Sequence, residues 1–449
     1  MNGGDELLLF AQADEYAAQY LAKVETRDVF PSGAARDALA RFDEPWPAQG
    51  FAADTGLALL DAVGSPATVA SNGPNYYGFV IGAALPAAAA AERLMLAWDQ
   101  CASSFDNSPV AAKLEAVAAR WVLEALDLPR DSAVGFGTSA TACGIACLSA
   151  ARRTLLARAG WDFDADGLVG APEIRAVVPE TAHVTVIKAL RLLGFGTARL
   201  IRAPVDAFGR VVPETLPPLD DRTILCLQAG EVNTGEFDPF AALIPQAKAA
   251  GAWVHVDGAF GLWARAAPGK RHLTNGIDGA DSWTTDGHKW LNTPYDGAMA
   301  ICRDADALAG AMNSDAAYAS AGADAQKNLT LEFSRRARGV PLWAALRALG
   351  RQGVAELVER HCALATEVAD GLRAMGLEVL NRPVLNQVLA RGRDEAHSRA
   401  IQARVAASGA AWFGLTRWDG EVAFRISVSS WRTERRHAKA LLAAVEAAL

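Results

Sequence analysis

The sequence lacks the features that would place it in a membrane, on nucleic acid or in a secretory pathway. Its longest apolar run, residues 79–91, is broken by Pro86 and is shorter than the roughly 20 residues that cross a bilayer. Asp5 and Glu6 stand where a secretory signal would be basic. Acidic residues outnumber basic ones, 51 to 43, and the net charge of −8 argues against a nucleic-acid partner.

Cysteine is scarce, and we find neither internal repeats nor low-complexity segments. The six cysteines lie scattered in apolar stretches, so we expect reduced thiols in a cytoplasm and no disulfide framework. Cys143 and Cys147 lie four residues apart in a predicted helix. We interpret them as buried thiols, and no metal site is predicted. The composition, 51% hydrophobic and 21% charged over 449 residues, is typical of a globular enzyme with two or three packed units.

Apolar strands alternate with helices through the middle of the chain. Strands are predicted at residues 175–178, 198–201, 223–228, 253–256, 282–285 and 297–302. This alternation predicts an α/β fold with a mostly parallel sheet covered on both faces, whose ligands gather at the carboxyl ends of the strands. We predict a helical N-terminal segment, a large α/β domain and a smaller C-terminal α+β domain, over residues 1–65, 66–340 and 341–449.

Three features have simple structural interpretations. The stretch at residues 71–79, rich in Gly and Asn, is expected to be a surface turn. The small residues at 135–141 predict a tight turn before a helix, where backbone N–H groups and the helix dipole favour an anion. A phosphate cradle and a plain close-packed turn are both open there. Four histidines in charged surroundings are expected at the surface, namely His272, His361, His397 and His437.

One lysine lies among apolar and turn-forming residues. The segment 280–304 reads ADSWTTDGHKWLNTPYDGAMAICRD and contains Lys289, and upstream of it the strand WVHVD ends in Asp257. A lysine of this kind can form a Schiff base with pyridoxal phosphate (PLP), while a strand-end carboxylate keeps the pyridine nitrogen protonated. Such a pair is worth about 1 kcal/mol in water and about 4 kcal/mol at an effective dielectric near 20, so the carboxylate must be sheltered. A solvated lysine and a helix-capping aspartate are the alternatives.

These segments together resemble the group II pyridoxal-phosphate-dependent amino-acid decarboxylases, which have the aspartate-aminotransferase-like fold, also called fold type I. The resemblance extends from about residue 71 to 428. It is most specific in the lysine segment and in VHVDGAFG, SATACGIACLSAAR and PETAHVTVIKALRLLG. It implies PLP as the cofactor, an amino acid as the substrate and a homodimer whose active sites lie at the subunit interface.

The resemblance implies that three residues carry the chemistry. Lys289 would be the Schiff-base lysine and Asp257 the partner of the pyridinium nitrogen. His183 would stack on one face of the cofactor ring, with Ala259 against the other face. A flat histidine over the ring would fix its tilt as electrons flow into it from the broken Cα–carboxylate bond. A helix-start histidine without a catalytic role is the alternative for His183.

The resemblance also assigns residues to the phosphate and to the substrate. Ser139, Ala140 and Thr141 fall where the family has its phosphate turn, and His288 lies where the family contacts the phosphate. Arg425 lies on a predicted C-terminal strand, where related folds often place an arginine that binds the substrate carboxylate. A plain salt bridge is the alternative for this arginine.

The sequence departs from the family at a segment that carries a mobile loop in these decarboxylases. A tyrosine of that loop protonates the carbanion left by CO2 loss, whereas the matching residues 325–329 contain no tyrosine and Tyr318 lies earlier. We predict decarboxylation of an L-amino acid to the amine and CO2. Decarboxylation-coupled oxidative deamination to an aldehyde is the first alternative. Transamination, aldol cleavage and a catalytically silent cofactor-binding scaffold are the others.

Overall fold

A seven-stranded sheet forms the centre of the molecule. The computed structural model describes residues 3–313 and 325–449. The strands of the large sheet are β1 Ala133–Gly137, β2 Arg175–Pro179, β3 Ile201–Ala203, β4 Thr223–Gln228, β5 Trp253–Asp257, β6 Ser282–Asp286 and β7 Ala298–Cys302. Their order is β1-β7-β6-β5-β4-β2-β3, and only the pairs that involve β7 are antiparallel. The predicted mostly parallel sheet is therefore confirmed.

Helices cover both faces of this sheet because its strands are apolar on both sides. On β5, Val254 and Val256 belong to one apolar core and Trp253 to the other. The helices are α1 Gly3–Lys23, α2 Gly33–Asp37, α3 Ala53–Leu59, α4 Ser65–Ala67, α5 Pro86–Trp98, α6 Pro109–Ala125, α7 Ala140–Arg158, α8 Phe163–Asp166, α9 Val184–Leu192, α10 Phe240–Ala249, α11 Ala305–Met312, α12 Gly339–Ala374, α13 Glu395–Ala407 and α14 Arg435–Ala447.

A second, antiparallel sheet lies in the C-terminal part of the chain. Its order is β10-β11-β9-β8, with strands β8 Glu378–Val379, β9 Gln387–Arg391, β10 Gly414–Trp418 and β11 Glu421–Ser427. Helix α12 joins the two halves, because its first part packs into the core of the large sheet and its last turns into the core of the small one. It is interrupted at Gly350, whose φ of 60° favours glycine. The domain boundaries stay a prediction.

The segment predicted to be a surface turn is buried instead. Tyr76 is 6% exposed and Tyr77 is fully buried. The backbone N–H of Tyr77 donates to the Trp412 carbonyl at 2.8 Å, and the Ser427 N–H donates to the Tyr77 carbonyl at 2.9 Å. The backbone of this stretch thus forms hydrogen bonds with the small sheet, which allows its aromatic side chains to enter the core. Composition alone gave no sign of these long-range bonds, and the expectation was wrong.

Two strand assignments also differ from the sequence prediction. Gly135, predicted to lie in a tight turn, belongs to β1, where an added Cβ would collide with the Leu329 carbonyl. Its small size is needed for this close backbone approach, not for a bend. Residues 197–199 form a 3-10 turn, so the strand predicted at 198–201 begins only at Ile201.

The cysteines of the protein are free thiols. Cys143 and Cys147 are buried free thiols, as predicted, and none of the six cysteines forms a disulfide. Among the helices of the described residues, none combines the length and the apolar character that a bilayer span requires.

His361 is fully buried, so its expected surface position was wrong; His437, at 6% exposure, was also misplaced. The charged neighbours of His361 in sequence lie on other faces of α12. Its Nδ1 accepts the indole N–H of Trp290 at 2.9 Å, and Nε2 lies 2.9 Å from the Ser430 carbonyl. These contacts satisfy a neutral ring, and burial lowers the pKa of His361 to about 3.

We expect the free energy of unfolding to fall below pH 6.5 with a contribution from His361. Its folded pKa of about 3 lies below the ordinary value near 6.5, so the unfolded chain binds a proton first as the pH drops. The stability contributed by the neutral ring is present above pH 6.5 and is lost from there down to about pH 3, at about 1.4 kcal/mol per pH unit. Chemical denaturation of His361→Asn between pH 7 and 4 should show a correspondingly shallower slope. The exposed His272→Asn is the control, and an unchanged slope in His361→Asn would contradict the assignment.

A buried ion pair fastens α6 to the start of α12. The guanidinium of Arg335 donates to Glu115 Oε1 at 2.9 Å, and both side chains are almost fully buried. We expect Glu115→Ala to lower the free energy of unfolding by about 3–5 kcal/mol, because it leaves a buried charge unpaired. The exposed pair of Glu395 and Arg399 is the comparison, since Glu395→Ala should cost no more than about 0.5 kcal/mol. Denaturant titration measures the free energy of unfolding of both variants. Equal decreases would show that the buried pair stabilises the protein no more than the exposed pair does.

Candidate active site

Two carboxylates lie at the ends of neighbouring strands. Strands β5 and β6 are parallel, with Asp257 opposite Thr284, so Asp257 and Asp286 finish the two strands at the same edge of the sheet. The chain then turns and brings Lys289 back, with its Nζ 3.0 Å from Asp286 Oδ2. The lysine side chain is 21% exposed and that of Asp286 is 3% exposed. The lysine is therefore sheltered, and its contact is an acid that the sequence analysis did not single out.

The loop that carries the lysine is fixed from two sides. A Cβ at Gly82 would lie 2.1 Å from the Lys289 carbonyl oxygen, so glycine is needed for the two backbones to meet. Asn292 donates to the carbonyls of Trp290 at 2.7 Å and Ser429 at 3.0 Å. The buried segment that includes Gly82 thus packs directly on the lysine loop, which holds the lysine in position.

Asp257 and Ala259 lie together after β5. The Ala259 N–H donates to Asp257 Oδ1 at 3.1 Å, and both residues are half-buried. This bond orients the carboxylate within the turn and leaves its second oxygen available to a ligand.

His183 is the N-cap residue of α9. Its Nδ1 accepts the Thr185 N–H at 3.4 Å and lies 2.7 Å from the Thr185 hydroxyl oxygen, so the ring proton belongs on Nε2. Burial lowers the pKa of His183, with Asp257 opposing that shift and Lys289 reinforcing it. The ring is therefore neutral at pH 7, and the predicted trio shares one electrostatic environment.

The predicted phosphate turn is the first turn of α7. Ser139 is its N-cap, and its hydroxyl oxygen accepts the Ala142 N–H at 3.3 Å. The Ala140 N–H donates to Asp286 Oδ1 at 2.7 Å, and Thr141 follows in the same turn. Asp286 therefore joins the lysine to the helix start.

His288 lies next to the same carboxylate. It is 6% exposed, its Nδ1 accepts the Gly297 N–H at 3.2 Å, and its Nε2 is 3.8 Å from Asp286 Oδ1. Burial lowers its pKa, so this ring is also neutral at pH 7. Tyr295 stacks on it, with ring centroids 4.3 Å apart, and is itself 56% exposed. The sequence analysis missed Tyr295.

Arg425 lies on β11 and faces a cleft of about 850 Å³ between the two sheets. His183 lines the same cleft, together with apolar groups that include Phe79, Val184 and Trp418. The Arg425 guanidinium donates to the Val232 carbonyl at 2.9 Å, and burial lowers its pKa without removing its charge. The structure thus places a sheltered cation at one side of a ligand-sized cleft.

The residues present fit PLP by their chemistry. The sheltered amine of Lys289 can react with an aldehyde, and the carboxylate of Asp257 can pair with a pyridinium. The flat neutral ring of His183 can stack on a cofactor ring, and the start of α7 can bind a phosphate. The feature that does not match a phosphate is the carboxylate of Asp286 at the helix start. The sequence contains this aspartate in the motif TTDGHK, three residues before the lysine, so it could have been identified there. Tyr318, the tyrosine that precedes the segment 325–329, lies outside the described residues.

Comparisons with known proteins agree with this site. Residues 66–388 match the pyridoxal-dependent decarboxylase conserved domain. Tryptophan decarboxylase 1 of Oryza sativa is 26% identical over 404 residues, which cover 83% of this chain and 77% of that protein. The 4-hydroxyphenylacetaldehyde synthase of Rhodiola rosea is 24% identical over 453 residues, which cover 94% and 90%. Matches to two tyrosine decarboxylases, from Lophophora williamsii and Papaver somniferum, span 59% and 61% of those proteins.

A solved structure of Oryza sativa TDC with PLP and tryptamine superimposes with a TM-score of 0.90 at 24% identity, covering 100% of this chain and 98% of that one. This similarity confirms the fold class predicted from the sequence. The domain match extends through the large sheet, both strand-end carboxylates and the lysine loop, and it confirms the predicted cofactor and enzyme class. The chain belongs to the pyridoxal-dependent decarboxylase family.

Proposed function

We propose that this protein decarboxylates an aromatic L-amino acid to its amine and CO2, with Lys289 linking the cofactor. The observation that carries the proposal is the convergence of Lys289, Asp257 and His183 at one edge of the sheet, beside the cleft that contains Arg425. The tryptophan and tyrosine decarboxylases among the relatives support the aromatic substrate.

Each residue of the chain has a defined task in this proposal. Bound PLP supplies the electron sink for the pair of electrons left at Cα when CO2 departs. The carboxylate of Asp257 holds a proton on the pyridine nitrogen, and the neutral ring of His183 fixes the tilt of the cofactor by stacking. Ala259 leaves room on the opposite face because its side chain is a single methyl group. The first turn of α7, Ser139 to Thr141, and the ring of His288 take the phosphate.

The cleft supports an amino acid with a large side chain. Its volume, about 850 Å³, exceeds that of an indole or a phenol, and Phe79, Val184 and Trp418 offer apolar contact. Arg425 binds the substrate carboxylate in this proposal, because it is a sheltered cation that lines the cleft. The cleft lining also includes charged groups, namely Glu180, Asp206, Glu231, Arg417 and Asp419. The preference for an aromatic side chain therefore rests on the apolar contacts and on the aromatic substrates in the names of the relatives.

The direct test is a product assay on the purified holoenzyme with aromatic, acidic and basic L-amino acids. We expect CO2 and the corresponding amine from tryptophan, tyrosine or DOPA, in preference to glutamate and lysine. CO2 release from acidic or basic substrates alone would contradict the substrate class. A protein that binds PLP and releases no CO2 from any amino acid would be the silent scaffold.

The same assay separates amine from aldehyde. Oxidative deamination is the second candidate, favoured by the absence of tyrosine at residues 325–329 and by the aldehyde synthase among the relatives. It consumes O2 and water and gives an aldehyde, CO2, ammonia and hydrogen peroxide, so an oxygen electrode and a peroxidase-coupled assay detect it. Stoichiometric amine without peroxide supports the first candidate.

We further infer a cytoplasmic homodimer with its active sites at the subunit interface. The N-terminal part of the chain exposes large apolar side chains, among them Leu7 at 70%, Leu8 at 71%, Trp46 at 98% and Phe51 at 68%. Apolar surface of this extent is typical of a protein interface. The free thiols are consistent with a reducing compartment. Analytical ultracentrifugation should give twice the chain mass of 47.3 kDa.

We expect Lys289→Ala to abolish covalent attachment of PLP. Borohydride reduction of the wild-type holoenzyme, followed by peptide mass spectrometry, should find the pyridoxyl group on residue 289. Lys248→Ala is the matched control, since Lys248 also forms an ion pair with an aspartate. Its partner, Asp281, directly precedes β6, at the opposite end of that strand from Asp286. Retention of the label in Lys289→Ala, on a different lysine, would contradict the assignment.

We expect Arg425→Gln to lower kcat/KM by about 10- to 100-fold, chiefly through KM. A hydrogen bond to a charged group is worth about 1.5–3 kcal/mol, and each 1.4 kcal/mol is tenfold. Arg391→Gln in the same sheet is the control, because Arg391 forms an ion pair with Glu378 on the outer edge. The two variants should differ clearly in steady-state kinetics, and wild-type KM in Arg425→Gln would exclude a carboxylate-binding role.

A further inference from the structure

A buried carboxylate lies between the lysine and the turn that the proposed function assigns to the phosphate. Asp286 is 2% exposed. Its Oδ2 lies 3.0 Å from Lys289 Nζ, and its Oδ1 accepts the Ala140 N–H at 2.7 Å. One side chain therefore occupies the amine and a helix-start donor, the two groups that a phosphorylated aldehyde needs.

The donors at the start of α7 are few. The first turn of a helix has N–H groups that no helix carbonyl accepts. The Ala142 N–H goes to the Ser139 hydroxyl oxygen, and the Ala140 N–H goes to Asp286. The Cys143 N–H is already inside the helix, where it donates to the Ser139 carbonyl at 2.9 Å. A phosphate at this turn would have the N–H and the hydroxyl of Thr141, and it would lie beside the carboxylate that accepts the Ala140 N–H.

The charge of Asp286 is balanced by the lysine. The neighbouring His288 ring is neutral because burial lowers its pKa, and Tyr295, which stacks on that ring, carries no charge at pH 7. A Lys289 nitrogen bonded to an aldehyde carbon, with loss of water, would keep at most one N–H, so it would be a poorer partner for Asp286 than the free ammonium with its three donors. The phosphate then meets a carboxylate of the same sign in a sheltered site, where repulsion is strong.

We propose that Asp286 is a positioning residue that weakens retention of the cofactor: it fixes Lys289 before the cofactor arrives and repels the phosphate afterwards. The inference rests on the proposed function for the identity of the phosphate turn. An acid at the start of a helix stabilises the empty helix terminus, because it interacts favourably with the helix dipole. The same acid repels an anion that binds there.

The test compares cofactor binding by the wild type and by Asp286→Asn. The amide keeps the size of the side chain and an acceptor for the Ala140 N–H, and it removes the charge. We expect the Kd for PLP to fall at least tenfold, and the holoenzyme to lose PLP correspondingly more slowly in gel filtration followed by absorbance. Inorganic phosphate should compete with PLP at lower concentration in the variant. Pyridoxal, which lacks the phosphate, should show a smaller change, because it reports only the contact of Asp286 with Lys289.

Asp281→Asn is the matched control. Asp281 has the same two contacts, with Lys248 Nζ at 2.6 Å and with the Val254 N–H at 2.8 Å, at the opposite end of β6. It should leave the Kd for PLP unchanged. Asp286→Glu keeps the charge and should show no gain. Asp286→Ser is a second neutral variant, and thermal unfolding checks that each protein folds.

Two results would overturn the inference. One is equal or weaker binding of PLP and phosphate by both neutral variants. The other is a gain of the same size with pyridoxal, which would locate the effect at the lysine alone. Binding is measured without an amino acid, so a chain that binds PLP and releases no CO2 would contradict the proposed function and leave the role of Asp286 standing.

Discussion

The parallel pairing of β5 and β6 brings Asp257 to the same sheet edge as the ion pair of Asp286 and Lys289. Because the two strands run in the same direction in register, both end at one edge of the sheet, and each ends in an acid. The turn after β6 is short enough to bring the lysine back onto the second acid at 3.0 Å. The remaining site residues come from the loop before α9, the start of α7 and strand β11, which reach this edge through the sheet topology.

The sequence was sufficient for the features that depend on local pattern. Parallel strands buried on both faces are continuous apolar runs, so the central strands could be predicted to within a residue or two. The positions of Asp257 and Lys289 follow from the ends of those runs and from the rule that ligands bind at carboxyl ends. His183 could be placed because it begins a helix after such a strand.

Features that depend on distant partners could not be predicted. Asp286 lies in the same motif as the lysine, but its importance comes from the Ala140 N–H, which is 146 residues away in sequence. Tyr77 is buried because its backbone bonds to the small sheet more than 300 residues later. His361 was misplaced because charged neighbours in sequence say little about a helix, where residues three and four apart share a face and adjacent residues do not. In each case the missing information is the partner in space.

Charge balance connects the fold to the chemistry. His183 lies near the carboxylates of Asp257 and Asp286 and near the cations Lys289 and Arg425, while burial keeps the rings of His183 and His288 neutral. The ion pair between Asp286 and Lys289 limits the cost of sheltering those two charges, and the buried Glu231 lies near Arg425. A phosphorylated cofactor adds negative charge, so the balance must come from the helix start, from the pyridinium proton and from the substrate. Asp286 thus stabilises the site before the cofactor binds and repels the phosphate afterwards. The fold therefore balances the charge of the site better without the cofactor than with it.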